Sequence, residues 1–288
     1  MLLRKKSRFS SSKVKETRRK KFLVKIFLVF FVLLVIFILS IFVSRISDIN
    51  ITNIIIKNEG SVVTEKEILT IINNNINGKY LGLYPKTNIF IYGKKKIEAD
   101  IYNKFKRIKN IDIKRVGFNG ISITIKERSP AGLWCGKKIN IDEKCYFLDE
   151  DGYIYTEAPI FSGSVFFRNY GNIEGIKQIG VNFLDSKRFK EISFFIKSIK
   201  DVNLNTVSFF AGDNGDYEIY LGDNSKNYNF YGGKIIFNKD DNLGEVFDNL
   251  TAILNEKILI KGFGDNVQLD YIDLRFGRKV FYKLKTSE

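Results

Sequence analysis

The feature that most constrains this chain is an uninterrupted apolar run near its N-terminus. From Ile26 to Val43 the sequence reads IFLVFFVLLVIFILSIFV, in which Ser40 is the only polar residue. At about 1.5 Å per residue, a helix of this length covers roughly 27 Å, which is close to the thickness of bilayer hydrocarbon. The run therefore predicts a transmembrane helix, which we place over residues 22–44.

The positive charge of the chain is concentrated before this run. The formal net charge is +15, and residues 1–25 hold eleven Lys or Arg against a single acid, Glu16. Because Lys and Arg stay on the cytoplasmic side of a spanning helix, residues 1–21 are predicted to be a basic cytoplasmic tail, with the rest of the chain outside. A cleaved signal peptide is the alternative, but its apolar core is shorter, about 7 to 15 residues, and Val43-Ser44-Arg45 is a poor cleavage site.

The composition argues against most enzyme classes. The chain has no His, so the usual general base and the commonest metal ligand are both missing. No nucleophile and base pair or phosphate-binding glycine loop is recognisable, so we predict no catalytic residue, no metal, no cofactor and no small-molecule substrate. Only Phe9 interleaves the charges of the tail, which favours attraction to membrane lipid and no nucleic-acid partner.

Residues 47–128 predict a first outside domain with the order strand, helix, helix, strand, strand. Thr64-Glu65-Lys66-Glu67 has the form of a capping box, and isoleucines follow at helical spacing. Asn119-Gly120 is a strong hairpin signal, because both residues tolerate a positive φ. The predicted elements are a strand at 49–57, helices at about 64–74 and 94–106, and two strands from Ile108 to Lys126.

Residues 129–288 predict a second, α+β domain, in which an antiparallel sheet carries helices on one face. Two helices have one apolar face each, at about 186–200 and 243–255, the first capped by Asp185 or Ser186. Short apolar or alternating runs separated by turn residues predict the strands. They are Tyr146–Leu148, Tyr153–Tyr155, Ser164–Arg168, Thr206–Phe210, Tyr217–Leu221, Lys234–Phe237, Gln268–Arg275 and Lys279–Lys283.

Three acidic groups have both a structural and a chemical interpretation. Asp149-Glu150-Asp151-Gly152 and Asp213-Asn214-Gly215-Asp216 each end a strand and contain Gly, which favours hairpin turns over a calcium loop, since calcium needs many oxygen ligands at set spacing. Glu127-Arg128 precedes Pro130 at a strand exit, which favours a local structural ion pair over an acid and cation in a cleft.

Cys135 and Cys145 are the only cysteines and lie on either side of a short predicted loop. Two ligands without His cannot make a closed zinc site. Two free thiols are one possibility, but a disulfide is favoured because the outside compartment can be oxidising, and it restricts the unfolded chain by roughly 2 to 3 kcal/mol.

Three stretches carry a family resemblance: ITIKERSPA at 123–131, CYFLDEDGYIY at 145–155, and YIDLRF at 271–276 followed by KVFY at 279–282. In this order they resemble the I-x-I-x-E-R-x-P-x-A run, the y-y-l-D-x-x-G-x-v-f hairpin and the closing y-I-D-L-R-f element of the bacterial cell-division family FtsQ, called DivIB in Gram-positive bacteria. The order of the first domain is likewise that of polypeptide-transport-associated (POTRA) domains. The chain departs from the family at Phe118-Asn119-Gly120, where a Pro is common, and has no alignable motif over 156–265.

The resemblance implies a non-enzymatic scaffold of the division septum in the cell (inner) membrane, with FtsB/FtsL-like division proteins and other septal membrane proteins as partners. It implies that the last strands bind them by strand addition. Since side chains alternate along a strand, about half of the matching residues are expected to point inward. The matching residues are Tyr271, Asp273, Arg275, Val280, Phe281 and Tyr282.

Two other function classes remain open for the sequence. A membrane-anchored POTRA chaperone or translocation accessory would bind unfolded clients by the same strand addition, although no β-barrel sequence follows. An anchored envelope enzyme would require an activity that is lost on changing Asp149 or Glu127.

Overall fold

The computed structural model describes residues 12–58, 60, 62–139, 144–161, 165–175, 177–222, 232–255 and 267–286. It is a mixed α/β structure with one N-terminal apolar helix followed by sheet-rich units. The first compact unit comprises the described residues up to Phe105 together with Asn110–Lys126, and the second comprises Lys106–Lys109 with the described residues from Glu127 onward. The predicted basic tail lies outside the described residues as far as residue 11.

Helix α1 spans Ser12–Ser44 and is long and apolar enough to cross a membrane. It begins about three turns before the predicted span, because the Lys and Arg of the tail are themselves good helix formers. From Phe22 to Val43 nearly every side chain is exposed in the structure. A surface of this kind requires an apolar surrounding, so α1 is compatible with membrane anchoring.

The first unit continues with strands and helices in the predicted order. A short 3-10 helix, Ser47–Ile49, precedes β1 (Asn53–Asn58), α2 (Glu65–Ile76), α3 (Lys94–Lys104), β4 (Ile108–Val116) and β5 (Gly120–Glu127), with a two-stranded ribbon, β2 (Lys79–Tyr80) and β3 (Tyr84–Pro85), between the helices. The sheet order is β1-β5-β4, and β1 runs parallel to β5. Isoleucines from both helices and the sheet fill the core, among them Ile68, Ile72, Ile97, Ile101, Ile121 and Ile123.

Two local predictions for this unit have different outcomes. The capping box is confirmed, since Thr64 Oγ1 accepts from Glu67 N at 3.4 Å and Glu67 Oε2 accepts from Thr64 N at 3.2 Å. The hairpin turn is shifted: the positive φ falls on Gly117, at +66°, and Gly120 is already the first residue of β5. Gly120 is needed there for space, since a Cβ would lie 2.7 Å from Val116 O.

The second unit contains a nine-stranded sheet and two helices. The strands are β6 (Gly132–Trp134), β7 (Tyr146–Leu148), β8 (Ile154–Glu157), β9 (Arg168–Gly171), β10 (Thr206–Ala211), β11 (Asp216–Leu221), β12 (Lys234–Asn238), β13 (Val267–Phe276) and β14 (Lys279–Thr286). The helices are α4 (Ser186–Asp201) and α5 (Leu243–Leu254). Asp185 is the N-cap of α4, where its side chain accepts from the backbone N–H of Lys187 and Arg188.

The sheet is mixed, and the antiparallel sheet predicted from the sequence is therefore wrong. Its order is β14-β13-β12-β11-β10-β9-β6-β7-β8. The pairs β6 with β9, β9 with β10, and β12 with β13 are parallel. Parallel neighbours require long crossover connections, and α4 and α5 lie on the connections that precede β10 and β13. Hairpin signals concern only neighbouring segments, so they do not predict pairs between strands that are distant in sequence.

A large apolar core unites the two helices with the sheet. Phe209, Ile219, Phe237 and Ile272 are fully buried in it, and the apolar faces of α4 and α5 are part of the same cluster. A smaller cluster, which includes Leu133, Cys135 and Tyr170, packs with Phe147 and Phe166. The predicted strand Ser164–Arg168 starts outside the described residues, and β9 begins only at Arg168 because Phe166 and Phe167 pack as a loop.

Candidate partner-binding edge

The terminal hairpin, β13 and β14, forms one end of the nine-stranded sheet. The two strands pair antiparallel from Val267↔Thr286 to Phe276↔Lys279. Within the part of the chain that the structure describes, no strand pairs with the other side of β14. An edge of this kind presents backbone N–H and C=O groups that an added strand can bind.

The inner side of the hairpin is held firmly. Gly277, with φ +63°, forms the turn, and its carbonyl oxygen accepts from Asn249 Nδ2 of α5 at 2.8 Å. Asn238 Nδ2 donates to Arg275 O at 3.2 Å. Val280 and Leu284 pack against the core below α5. The hairpin is therefore a fixed platform, and its outer edge does not depend on a partner for its shape.

Arg275 connects the hairpin to the sheet through two carboxylates. It donates to both carboxylate oxygens of Asp273, at 2.9 and 2.6 Å, and to Asp216 Oδ2 of β11 at 2.7 Å. Burial raises the pKa of Asp273, but the hydrogen bonds from Arg275 outweigh burial and hold that pKa below its ordinary value. Arg275 is thus fixed as a cation whose guanidinium is only partly exposed.

A second charged group lies on the adjacent strands β11 and β12. Glu218 accepts from Lys234 Nζ at 2.8 Å and from the Tyr220 hydroxyl at 2.5 Å. Burial, followed by the hydrogen bond to Glu218, raises the pKa of Tyr220. The charges of Glu218 and Lys234 therefore neutralise each other and stabilise the contact between the two strands.

The exposed side chains of the hairpin are aromatic and basic, and they lie on both faces of β14, since Phe281 pairs with Asp273 and Tyr282 with the buried Ile272. Phe276, Phe281 and Tyr282 are exposed by 55%, 50% and 38%, and the rings of Phe276 and Phe281 meet edge to face with centroids 5.3 Å apart. Exposed lysines, Lys283 and Lys285, follow along β14. Large apolar side chains at this exposure, gathered on one edge, are typical of interaction surfaces.

The six residues predicted to bind a partner are sorted by the structure into two groups. Asp273 is buried in its ion pair, and Val280 packs against the core. Phe281 and Tyr282 are exposed, while Tyr271 and Arg275 are partly exposed on the outer strands. Accessibility thus favours four of the six positions for contact. Phe276 and Lys285 are also exposed but are not among the six. Phe276 lies beside the turn and Lys285 on the last strand, and these positions in the sequence could have identified them.

The acidic groups lie in turns, as predicted. Asp149 Oδ1 accepts from the N–H of Asp151 and Tyr153 at 2.9 Å each, and Gly152 has φ +76°. Arg128 forms a salt bridge with Asp149, which is almost fully buried, so this cation is paired with a residue of the turn. The turn at 213–216 joins β10 and β11, with Gly215 at φ +87°.

The two cysteines form a disulfide in the structure. Cys135 follows β6 and Cys145 precedes β7, so the bond closes the base of the loop that joins this antiparallel pair. Among the described residues, no group of three or more His, Cys, Asp or Glu side chains could hold a metal ion.

The chain matches no protein-family model, and no curated protein matches it.

Proposed function

We propose that this protein is a membrane-anchored, non-enzymatic scaffold of the FtsQ/DivIB type in bacterial cell division, with α1 in the membrane and the two sheet-bearing units outside the cell. The first unit would be its POTRA domain. The single observation that carries the proposal is the fixed edge of β14, with which no described strand pairs and which bears Phe281 and Tyr282 in the motif that resembles the closing element of that family.

The mechanism of this scaffold is strand addition. A partner segment extends beside β14, exchanges main-chain hydrogen bonds with it, and places its own side chains against Phe281, Tyr282 and the lysines of the strand. Because the hairpin is already held by α5 and β12, binding orders only the partner, which lowers the entropic cost of association. The partners are small coiled-coil membrane proteins of the FtsB/FtsL type.

Placement in the membrane supports this role. A single spanning helix confines the chain to two dimensions, so a scaffold and its membrane-bound partners meet at a high effective concentration. The basic tail keeps the N-terminus in the cytoplasm, while the edge lies in the compartment in which the septal wall is built.

The test is co-purification of the full-length chain, extracted in mild detergent from dividing cells, with its membrane partners. Wild type is compared with a Phe281→Lys, Tyr282→Lys double variant, which puts two charges at the aromatic centre of the edge. We expect recovery of the coiled-coil division proteins to fall at least about tenfold, equivalent to 1.4 kcal/mol.

Phe194→Lys is the matched control, since Phe194 is 72% exposed on α4 of the same unit. Recovery should equal that of wild type. Capture of partners that is unaffected by the double variant would reject β14 as the site, and capture of unfolded secreted proteins in place of division proteins would reject the scaffold role.

A further inference from the structure

The end of α1 is locked to the first unit by side chains. The last carbonyl groups of a helix have no partner within it. Here Asn50 Nδ2 donates to Ser44 O at 3.1 Å and to Ile46 O at 2.6 Å, and Asn88 Nδ2 donates to Ser44 O and Ser44 Oγ at 3.3 Å each. Ser44 and Asn88 are buried. The position of the first unit relative to the apolar helix is thus set by these bonds.

The ribbon of β2 and β3 reaches further down the helix. The Tyr84 hydroxyl lies 2.7 Å from Ser40 Oγ, and its ring packs edge to face on Phe37 with centroids 6.3 Å apart. At about 1.5 Å per residue, Ser40 lies about 6 Å and Phe37 about 10 Å before Ser44 along the axis. Tyr84 is therefore at the depth of the last two turns of the apolar run.

The tip of this ribbon exposes a leucine in a backbone conformation that favours glycine. Leu81 is 94% exposed and has φ +49°. Tyr80 beside it is 38% exposed, with Lys86 Nζ 5.7 Å from its ring centroid. In water, an exposed Leu at this position is unfavourable, since Gly or Asn would fit the backbone better. Tyr and Lys next to an apolar residue are typical of the membrane interface.

Two further loops surround the same end of the unit. Asn119 O accepts from the N–H of Thr52 and Asn53, which places the turn between β4 and β5 beside the start of β1. Phe118 in that turn is 73% exposed. Phe90, which follows Asn88, is 57% exposed and lies 5.3 Å from the Arg115 guanidinium.

We propose that this end of the first unit, defined by Tyr80, Leu81, Tyr84, Phe90 and Phe118, inserts into the headgroup and acyl boundary of the bilayer that α1 spans. The occupant is lipid because Tyr84 already lies at the depth of Phe37 and Ser40, within the apolar run. Basic side chains at the rim, Lys79, Lys86 and Arg115, favour anionic headgroups. The inference rests on the proposed anchoring by α1.

The experiment uses the full chain in vesicles of phosphatidylcholine and phosphatidylglycerol, with Leu81→Trp as the probe of depth. The matched control is Val62→Trp. Val62 is also an exposed apolar residue, at 56%, but it follows the far end of β1, which lies about 17 Å along the strand from Asn53. The native Trp134 is buried and gives the same background in both variants.

With lipids brominated near the headgroup end of the acyl chain, we expect Leu81→Trp to lose about half of its added emission, as a residue buried 5 to 10 Å into the interface should. Val62→Trp should be unaffected by the lipid and quenched by aqueous acrylamide. No difference between the two variants would overturn the proposal. Protection of Leu81→Trp from both quenchers that is lost when the protein is diluted in lipid would instead assign the surface to a second copy of the chain.

A failure of α1 to span the bilayer can be distinguished from a failure of the first unit to insert. If the chain is released from the vesicles by alkaline carbonate, α1 does not span the bilayer and the anchored scaffold is wrong. If it resists release and Leu81→Trp still faces water, only the insertion of the first unit is wrong.

Discussion

The two edge strands of the nine-stranded sheet differ in whether other described residues pair with them. At one end, β8 is covered by its own chain: Ile154 N donates to Val181 O and Gly180 N donates to Ile154 O, both at 2.8 Å. Tyr153 forms a further bridge with Asn182. At the other end, no described residue pairs with β14, which exposes Phe281 and Tyr282. We call these the covered edge and the open edge.

The difference shows that edge exposure in this sheet is selective. The segment around Val181 occupies the backbone groups of Ile154 at the start of β8, and an exposed edge is a hazard because it can pair with any other strand. The lysines of β14 reduce that hazard by repelling other copies of the same strand. In the proposed scaffold they also leave the edge available to a partner of complementary charge.

The largest expected effect is on the covered edge, where Arg128 and Asp149 form a salt bridge with side chains only 15% and 2% exposed. Asp149→Ala leaves the Arg128 charge buried and unpaired, so we expect the free energy of unfolding to fall by about 3 to 5 kcal/mol. Urea unfolding of the full chain in detergent measures it. The control is Glu150→Ala, since Glu150 is 73% exposed; equal losses for both would show that the buried pair does not stabilise this edge.

Loss of the disulfide should have the next largest effect. Changing both Cys135 and Cys145 to Ser frees a short loop beside the covered edge and should lower the free energy of unfolding by about 2 to 3 kcal/mol. Thermal unfolding with and without a reductant measures it. The reductant should destabilise wild type and leave the double variant unchanged, and an unchanged wild type would contradict a stabilising bond.

On the open edge, two adjacent prolines separate folding from binding. Successive N–H groups along a strand point to opposite sides, so Phe281→Pro and Tyr282→Pro remove one N–H that faces β13 and one that faces outward. One variant should lose about 1 to 3 kcal/mol of stability. The other should fold like wild type and bind partners at least about tenfold more weakly. Two variants that unfold alike and bind alike would argue against strand addition.

The smallest expected effect is on how the free energy of unfolding changes at acid pH. Hydrogen bonds from Lys190 and then Lys109 lower the pKa of Asp151 to about 2. A carboxyl with a lowered pKa stabilises the fold above its unfolded pKa of about 3.9, and this contribution is lost as the pH falls towards 2. Asp151→Asn should therefore flatten the stability profile between these pH values. The difference should be small because Asp151 remains partly exposed.

Much of the fold follows from local sequence. The helices at Glu65–Ile76, Ser186–Asp201 and Leu243–Leu254 begin and end within two residues of their predicted positions, because capping residues and an apolar face specify them locally. The last two strands were also predicted, since alternation and the Gly-containing turn define a hairpin. The aromatic motif at 281–282 identified the exposed part of the candidate site.

The remainder depends on contacts between distant residues. The parallel pairing of β6 with β9 joins Leu133 to Arg168, and nothing in either segment specifies the other. The burial of Asp149 follows from Arg128, which lies 21 residues away. The ribbon of β2 and β3 has only two residues in each strand, too few for any periodicity. The structure of the sheet was likewise needed to identify which of the six predicted positions face outward.

The side chains of Asn50 and Asn88, by occupying the carbonyl of Ser44, make the joint between helix and sheet stiff. A stiff joint transmits torque. If α1 rotated about its axis or were pulled at its basic end, the rigid joint would transmit that rotation or tension to β1. In the proposed orientation, with α1 in the membrane, movement of the helix would therefore displace β1 outside it.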